Sequence, residues 1–328
     1  MKELTVNGAI GAAVMKEMDS DERHILMGED IINPNGAFGA FMGVIGKHSD
    51  RCFDMPICEA GFTHFANGAA LAGLRPIVDI VFSDFATIAS DAIINGAATY
   101  RFCTLGKSSV PTVYIMGNGG FGTYGAVGSG CNHSQCMESL FVNTPGLKVV
   151  MPYYPEDVLG LLRSSLQDDD PVVFFYHEGS MGVKQNVEDE DIVIPLNNAA
   201  KIRKEGSDVT IIALQSMVPV AEEAVAALEA EGISAELIDP RVLIPFDKKT
   251  VVDSVRKTGR MIVAHEANTR GSFAGEIIKY VVEDDPTVLK KPVKVIGMQN
   301  SPIGSGFAEG LIMPKKEDII AAAKEMMK

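Results

Sequence analysis

A carboxylate at Glu59 closes the run Asp54-Met55-Pro56-Ile57-Cys58-Glu59, and a glycine-bearing, small-residue stretch follows it. Set among Pro56, Ile57, Cys58, Gly61 and Phe62, such a side chain is partly desolvated. Desolvation favours its neutral form and permits proton exchange near neutrality. The alternative is structural: Glu59 caps or salt-bridges the helix it precedes. Further along, GNGGFGTYGAVGSG (117–130) holds seven glycines in fourteen residues and leads into Asn132-His133-Ser134-Gln135. An imidazole at that position can donate, accept or relay a proton at neutral pH. Cys136 follows three residues later, which raises a Cys/His nucleophile pair, but no third group stands where it would orient them. The glycine run can equally serve close chain packing alone. Phe82 and Phe85 flank Asp84, where an aromatic ring either stacks on a planar ligand or joins the core. Asp168, Asp169 and Asp170 follow a helical stretch, so they either meet a hard cation beside free helix carbonyls or are simply solvated. His265 and Glu266 end an apolar strand, as an interface or a cleft wall.

Strands and helices alternate around these positions. Apolar residues at helical spacing run from Thr5 to Met18, and His24–Met27 reads as a short strand. A helix is expected between Gly61 and Ala72, a buried strand at PIVDIVF (76–82), a long helix over 84–102, and a strand at VPTVYIM (110–116) running straight into the glycine run. A short helix from about Ser134 to Phe141 comes next, followed by the strand LKVVMP and the helix that Pro155 opens. PVVFFY (171–176) completes a largely parallel sheet covered on both faces. GSMGVKQNVEDEDIVIPLNNAA is the connection, giving domains 1–190 and 191–328. The second repeats the alternation as a compact, doubly wound unit: strands at VTIIAL, ISAELID, RMIVAHE and VKVIGM, with helices at 218–230, 248–257 and 273–282.

Bulk composition narrows the function classes. The 328 residues are 46% hydrophobic and 22% charged, which is globular rather than disordered. A formal net charge of −14 without a Lys/Arg stripe argues against nucleic acid. Five irregularly spaced cysteines, none in a CxxC, point away from a disulfide framework or a structural zinc and toward a reducing compartment. No secretory leader pattern opens the chain and no stretch is long enough to span a bilayer, so a cytoplasmic location away from membranes is expected. Neither a dinucleotide fingerprint nor a GxxxxGK[ST] loop follows any strand.

Nine ordered blocks carry a resemblance. LMGED (26–30), FDMPICEAGF (53–62), GAALAGLRPIVDIVFSDF (68–85), NHSQC (132–136), PGLKVVMP (145–152), DVLGLL (157–162), EGSDVTIIALQSMV (205–218), GISAELIDPRVLIPFD (232–247) and VRKTGRMIVAHEA (255–267) cover nearly the whole chain. Together they resemble the beta subunits of the thiamine-diphosphate-dependent 2-oxoacid dehydrogenase first components, the acetoin dehydrogenase branch included. The resemblance implies an α/β fold of two domains: a mostly parallel-sheet, transketolase-like pyrimidine-binding domain and a doubly wound domain like the transketolase C-terminal one. It matches Glu59 to the glutamate that hydrogen-bonds the pyrimidine ring of the cofactor, Phe85 to the aromatic packed on that ring, and Ile57 to a neighbouring wall. His133 matches the histidine near the reactive end of the cofactor. Thr112, Ser165, Asp168 and Asp170 lie where the family holds a structural potassium-like ion. The diphosphate and its magnesium belong to an alpha chain through a GDG motif that this sequence lacks. An alpha subunit, a second beta subunit (two of each chain) and a lipoyl acyltransferase core are therefore the implied partners. Departures occur at Met116, where many members carry arginine, and in the segments 117–130, 177–182 and 300–310. Two rivals stand beside this reading: a split transketolase-like subunit passing a two-carbon unit to a sugar, and a non-catalytic scaffold.

Overall fold

A computed structural model describes residues 2–32, 37–120 and 129–328. The chain forms two compact units, one of Met1–Asn118 with Leu140–Leu196 and one of Gly119–Ser139 with Asn197–Lys328. The stretch 119–139, read from sequence as part of a domain 1–190, thus clusters with the later half of the chain.

The first unit contains β1 (Lys2–Thr5), β2 (His24–Glu29), β3 (Cys52–Met55), β4 (Arg75–Phe82), β5 (Val113–Asn118), β6 (Lys148–Val150), β7 (Val172–His177) and β8 (Lys184–Val187). Six of these lie parallel in the order β6-β7-β5-β4-β2-β3. β1 and β8 pair antiparallel at the margin. β2, β5 and β7 are buried along their whole length, as expected of parallel strands covered on both faces. Each fully buried Leu, Ile or Val in them contributes about 1.5–3 kcal/mol. Because the strands run parallel, the ends of β2, β3, β4 and β5 share one edge of the sheet, where open α/β sheets bind ligands.

The long helix expected over 84–102 is broken. It is α-helical over Ala86–Ser90, widens to a π-helix over Asp91–Ala98, and returns to α over Thr99–Cys103. The cause lies in the neighbouring helix Glu59–Leu71, which packs on β4 and on this π-helical stretch. Its buried Asn67 donates from Nδ2 to the carbonyl of Ala92 at 2.7 Å, while the Tyr114 hydroxyl holds its Oδ1. A side chain inserted into the helical ladder is a recognised source of such a bulge. The helix expected at 134–141 is only a 3-10 turn, Glu138–Leu140.

The second unit contains β9 (Lys201–Lys204), β10 (Val209–Ala213), β11 (Ala235–Asp239), β12 (Val242–Ile244), β13 (Met261–Asn268) and β14 (Lys294–Met298). Its five-stranded sheet has the order β14-β13-β10-β11-β9, parallel except for β9. β9 has the sequence KIRK, and Lys-rich edges discourage further pairing. Its single apolar residue gives no strand signal in the sequence. The helix Lys316–Met327, equally unforeseen, closes the chain. Among the described residues no helix is long and apolar enough to cross a membrane.

Candidate active site

Glu59 is the first residue of the helix Glu59–Leu71, two residues earlier than the glycine pattern suggests. It is 6% exposed, and among the described residues its carboxylate makes no hydrogen bond or ion pair. The structural alternative, a carboxylate spent as a cap or in a salt bridge, is therefore not what the fold builds.

Its neighbour is another acid. Glu29 ends β2, is 8% exposed, and its Oε2 is buried without a hydrogen-bond partner. Burial, and next the charge of Glu59, raises the Glu29 carboxyl above the usual carboxylate range. The like charge of Glu59 makes ionisation of Glu29 harder, so Glu29 takes up a proton more readily than an ordinary carboxylate. The approach of β2 to β4 that brings Glu29 in depends on Gly28, where a Cβ would meet the carbonyl oxygen of Asp79 at 2.7 Å. No larger residue fits without moving backbone.

β4 ends in a distorted turn. Val81 has φ 63°, an unusual conformation for a β-branched residue. Its N–H donates to Asp79 Oδ1 and its carbonyl accepts from the Tyr176 hydroxyl, each at 3.2 Å. The pairing with β5 shifts register here, which re-aims the chain leading to Phe82 and Phe85. Those two rings meet edge to face at 5.4 Å, and Phe38 meets Phe82 likewise at 5.6 Å. Phe82 and Phe85 are half-buried, so they are part of no sealed core. Ile57, in the connection from β3 to Glu59, is 77% exposed.

Asp79 is buried and its carboxyl is pushed up to about 7, by burial first and then by the charge of Glu29. The folded chain thus holds this proton well above the ordinary 3.8. The stability it contributes is complete below pH 4 and is lost as pH rises toward 7. Asp79→Asn keeps an acceptor for the Val81 N–H without the charge. We expect the stability difference between variant and wild type to shift in the variant's favour by about 2–4 kcal/mol between pH 4 and pH 8. Urea unfolding at both pH values measures it, and a pH-independent difference would refute the assignment.

His133 belongs to the second unit. It is half-buried, and its N–H donates to the Gly130 carbonyl at 3.2 Å. Most of the glycine run, residues 121–128, lies outside the described residues. The start of the run is held by Glu266, whose carboxylate accepts from the Gly120 N–H and the Ser216 hydroxyl. Sequence left Glu266 unassigned because its partners are far away in the chain.

The expected cation site is occupied by the chain's own cations. Lys148 Nζ lies 2.5 and 2.6 Å from the two Asp168 oxygens, and Arg101 pairs with Asp170. Arg75 pairs with Asp169 at 3.0 Å and donates to the carbonyls of Leu166 and Asp168. Ser165 donates its hydroxyl to Leu161, and the Thr112 carbonyl accepts from Val172. Three carboxylates thus face three fixed cations. Asp168 and Asp170 are neutralised within the chain, while the Thr112 hydroxyl is buried without a hydrogen-bond partner.

Comparison with known proteins covers both units. Residues 2–184 match the transketolase pyrimidine-binding domain family and residues 198–319 the transketolase C-terminal domain family. The chain is 40% identical over 329 residues to a mitochondrial pyruvate dehydrogenase E1 component subunit beta-1 of Oryza sativa, covering 98% of this chain and 86% of the relative. It is 38% identical to the acetoin:2,6-dichlorophenolindophenol oxidoreductase subunit beta of Cupriavidus necator, covering 100% and 98%. It is also 38% identical to the mitochondrial 2-oxoisovalerate dehydrogenase subunit beta 2 of Arabidopsis thaliana, covering 98% and 89%. Among solved structures, a split-gene transketolase described as an inactive beta4 tetramer superposes with a TM-score of 0.78 at 23% identity, covering 99% of this chain and 98% of that one. That last likeness is one of fold.

Proposed function

Because this chain belongs to the transketolase-type family of dehydrogenase E1 beta subunits, we propose that it is the beta half of a thiamine-diphosphate-dependent 2-oxoacid or acetoin dehydrogenase. The observation that carries the reading is Glu59: a buried carboxylate at a helix start, beside a second acid and without a protein partner among the described residues. Such a group suits a ring nitrogen that must be hydrogen-bonded and protonated. The bound cofactor supplies the electron sink that lets the bond beside the substrate carbonyl break.

The chain's own residues do the rest. Glu59 holds and returns a proton at its carboxyl oxygen, and Glu29 limits the charge beside it. Phe85, set edge to face against Phe82, would offer the ring an apolar surface, with Ile57 as a neighbouring wall. His133 is a second proton-exchanging group in this reading, by its resemblance to the family histidine. In this reading an alpha chain grips the diphosphate and magnesium, two copies of each chain assemble, and the acyl fragment passes to a lipoyl acyltransferase. Five free cysteines support a reducing, cytoplasmic setting.

The test is to co-express the chain with the product of its neighbouring gene. Reduction of an artificial electron acceptor is then followed with pyruvate, branched 2-oxoacids or acetoin. One of these is expected to turn over only with thiamine diphosphate. Transfer of a two-carbon unit to a sugar instead would replace this reading with the transketolase one.

A further inference from the structure

The second unit carries a cavity of about 390 Å³, a volume within the usual range for small ligands. It lies outside the carboxyl ends of the adjacent parallel strands β13 and β14, whose last residues, Asn268 and Met298, both line it. Open α/β sheets bind small molecules at such ends. The polar part of the wall is made by Asn268, Arg270, Asn300 and Ser301, and the floor by Met298 and Ile303, which belong to a small apolar cluster with Met313.

Three observations give the cavity a sign. Among the described residues no carboxylate lines it, in a chain of net charge −14. Among the described residues the Arg270 guanidinium has no ion pair or hydrogen bond, while its backbone N–H is pinned by Asn300 Oδ1 at 3.0 Å. The Ser301 hydroxyl is buried without a partner. An exposed guanidinium without a partner inside the chain, beside an unsatisfied hydroxyl and the Asn268 amide, is a receptor for oxygen acceptors.

We propose that this cavity binds a small oxyanion, a carboxylate or phosphoryl group with a short apolar part resting on Met298 and Ile303. The remaining wall comes from Cys131, Gln135 and Cys136. These bracket His133, so an occupant held by Arg270 fixes the segment that carries that imidazole and links anion level to its placement. This goes beyond the proposed reaction and does not depend on it.

The thiols in the wall provide the readout. The full chain is alkylated with iodoacetamide and the rates at Cys131, Cys136 and Cys103 are followed by peptide mass spectrometry. Cys103 is exposed in the other unit and serves as the control. Inorganic phosphate and butyrate, titrated separately at constant ionic strength, are expected to slow Cys131 and Cys136 saturably and to leave Cys103 unchanged. Arg270→Gln is expected to raise the half-protecting concentration at least tenfold, and Arg270→Lys by less, since a point charge replaces a planar fork. Glu59→Gln should leave protection as in the wild type. Tighter protection by butyrate assigns a carboxylate, and tighter protection by phosphate assigns a phosphoryl group. Absence of saturable protection by either anion, or equal protection in Arg270→Gln, overturns the site.

Discussion

Glu59→Gln, in the chain assembled with its alpha partner, is expected to lower turnover about a hundredfold or more while leaving assembly intact. The substitution preserves volume and hydrogen-bonding capacity but removes the exchangeable carboxyl proton. Glu59 has no ion pair to lose, since none forms among the described residues, so stability should change little and its loss would not explain the drop. A second signature follows from the acid beside it. Removing the Glu59 charge removes one of the three influences that raise the Glu29 carboxyl, the others being burial and the charge of Asp30, so the acidic limb of any residual pH–rate profile should move to lower pH. Steady-state kinetics across pH, with gel filtration of the complex, measures both. Near-wild-type turnover would exclude proton exchange through Glu59 from the account.

The other large effect is all-or-none. The isolated chain is expected to show no turnover of pyruvate, branched 2-oxoacid or acetoin at any concentration of thiamine diphosphate and magnesium, and adding the alpha chain should restore it. The physical ground is the charge of the cofactor's tail: a diphosphate needs a metal ion or an array of cationic and N–H donors. The sheet edge of the first unit instead presents the carboxyls of Glu29 and Glu59, which are acceptors and offer a diphosphate no such donors. Turnover by this chain alone would sink the two-chain reading.

Much of this was legible in the sequence wherever the signal is local. Buried parallel strands announce themselves as β-branched runs, and β4, β7, β10 and β11 begin within two residues of where those runs place them. Glu59 stood out as a carboxylate ahead of a small-residue helix, a pattern that left capping open, and only the family resemblance gave it a part in the chemistry. What the sequence hid is non-local. That Glu29 would stand beside Glu59 depends on β2 lying between β3 and β4, a pairing order no single strand encodes. Asp79 reads as one polar letter in an apolar strand, and only the folded sheet turns it into a proton-holding group. The π-helical segment required knowing that Asn67, 25 residues earlier, would reach the carbonyl of Ala92. The aspartates 168–170 suggested a metal because the cations that neutralise them come from positions 75, 101 and 148.

The second unit is assembled from two separate lengths of chain, with residues 119–139 emerging well before 197–328. During synthesis, Gly120 must therefore wait for Glu266, about 146 residues later, before its amide finds the carboxylate that receives it. For that interval Gly120 and the segment 129–139 lack the part of the chain they cluster with, and are open to premature association. A fragment stopped near residue 196 would never supply it, so dissecting the protein at the apparent linker should yield a second half lacking His133 and a first half open to cleavage at an internal segment.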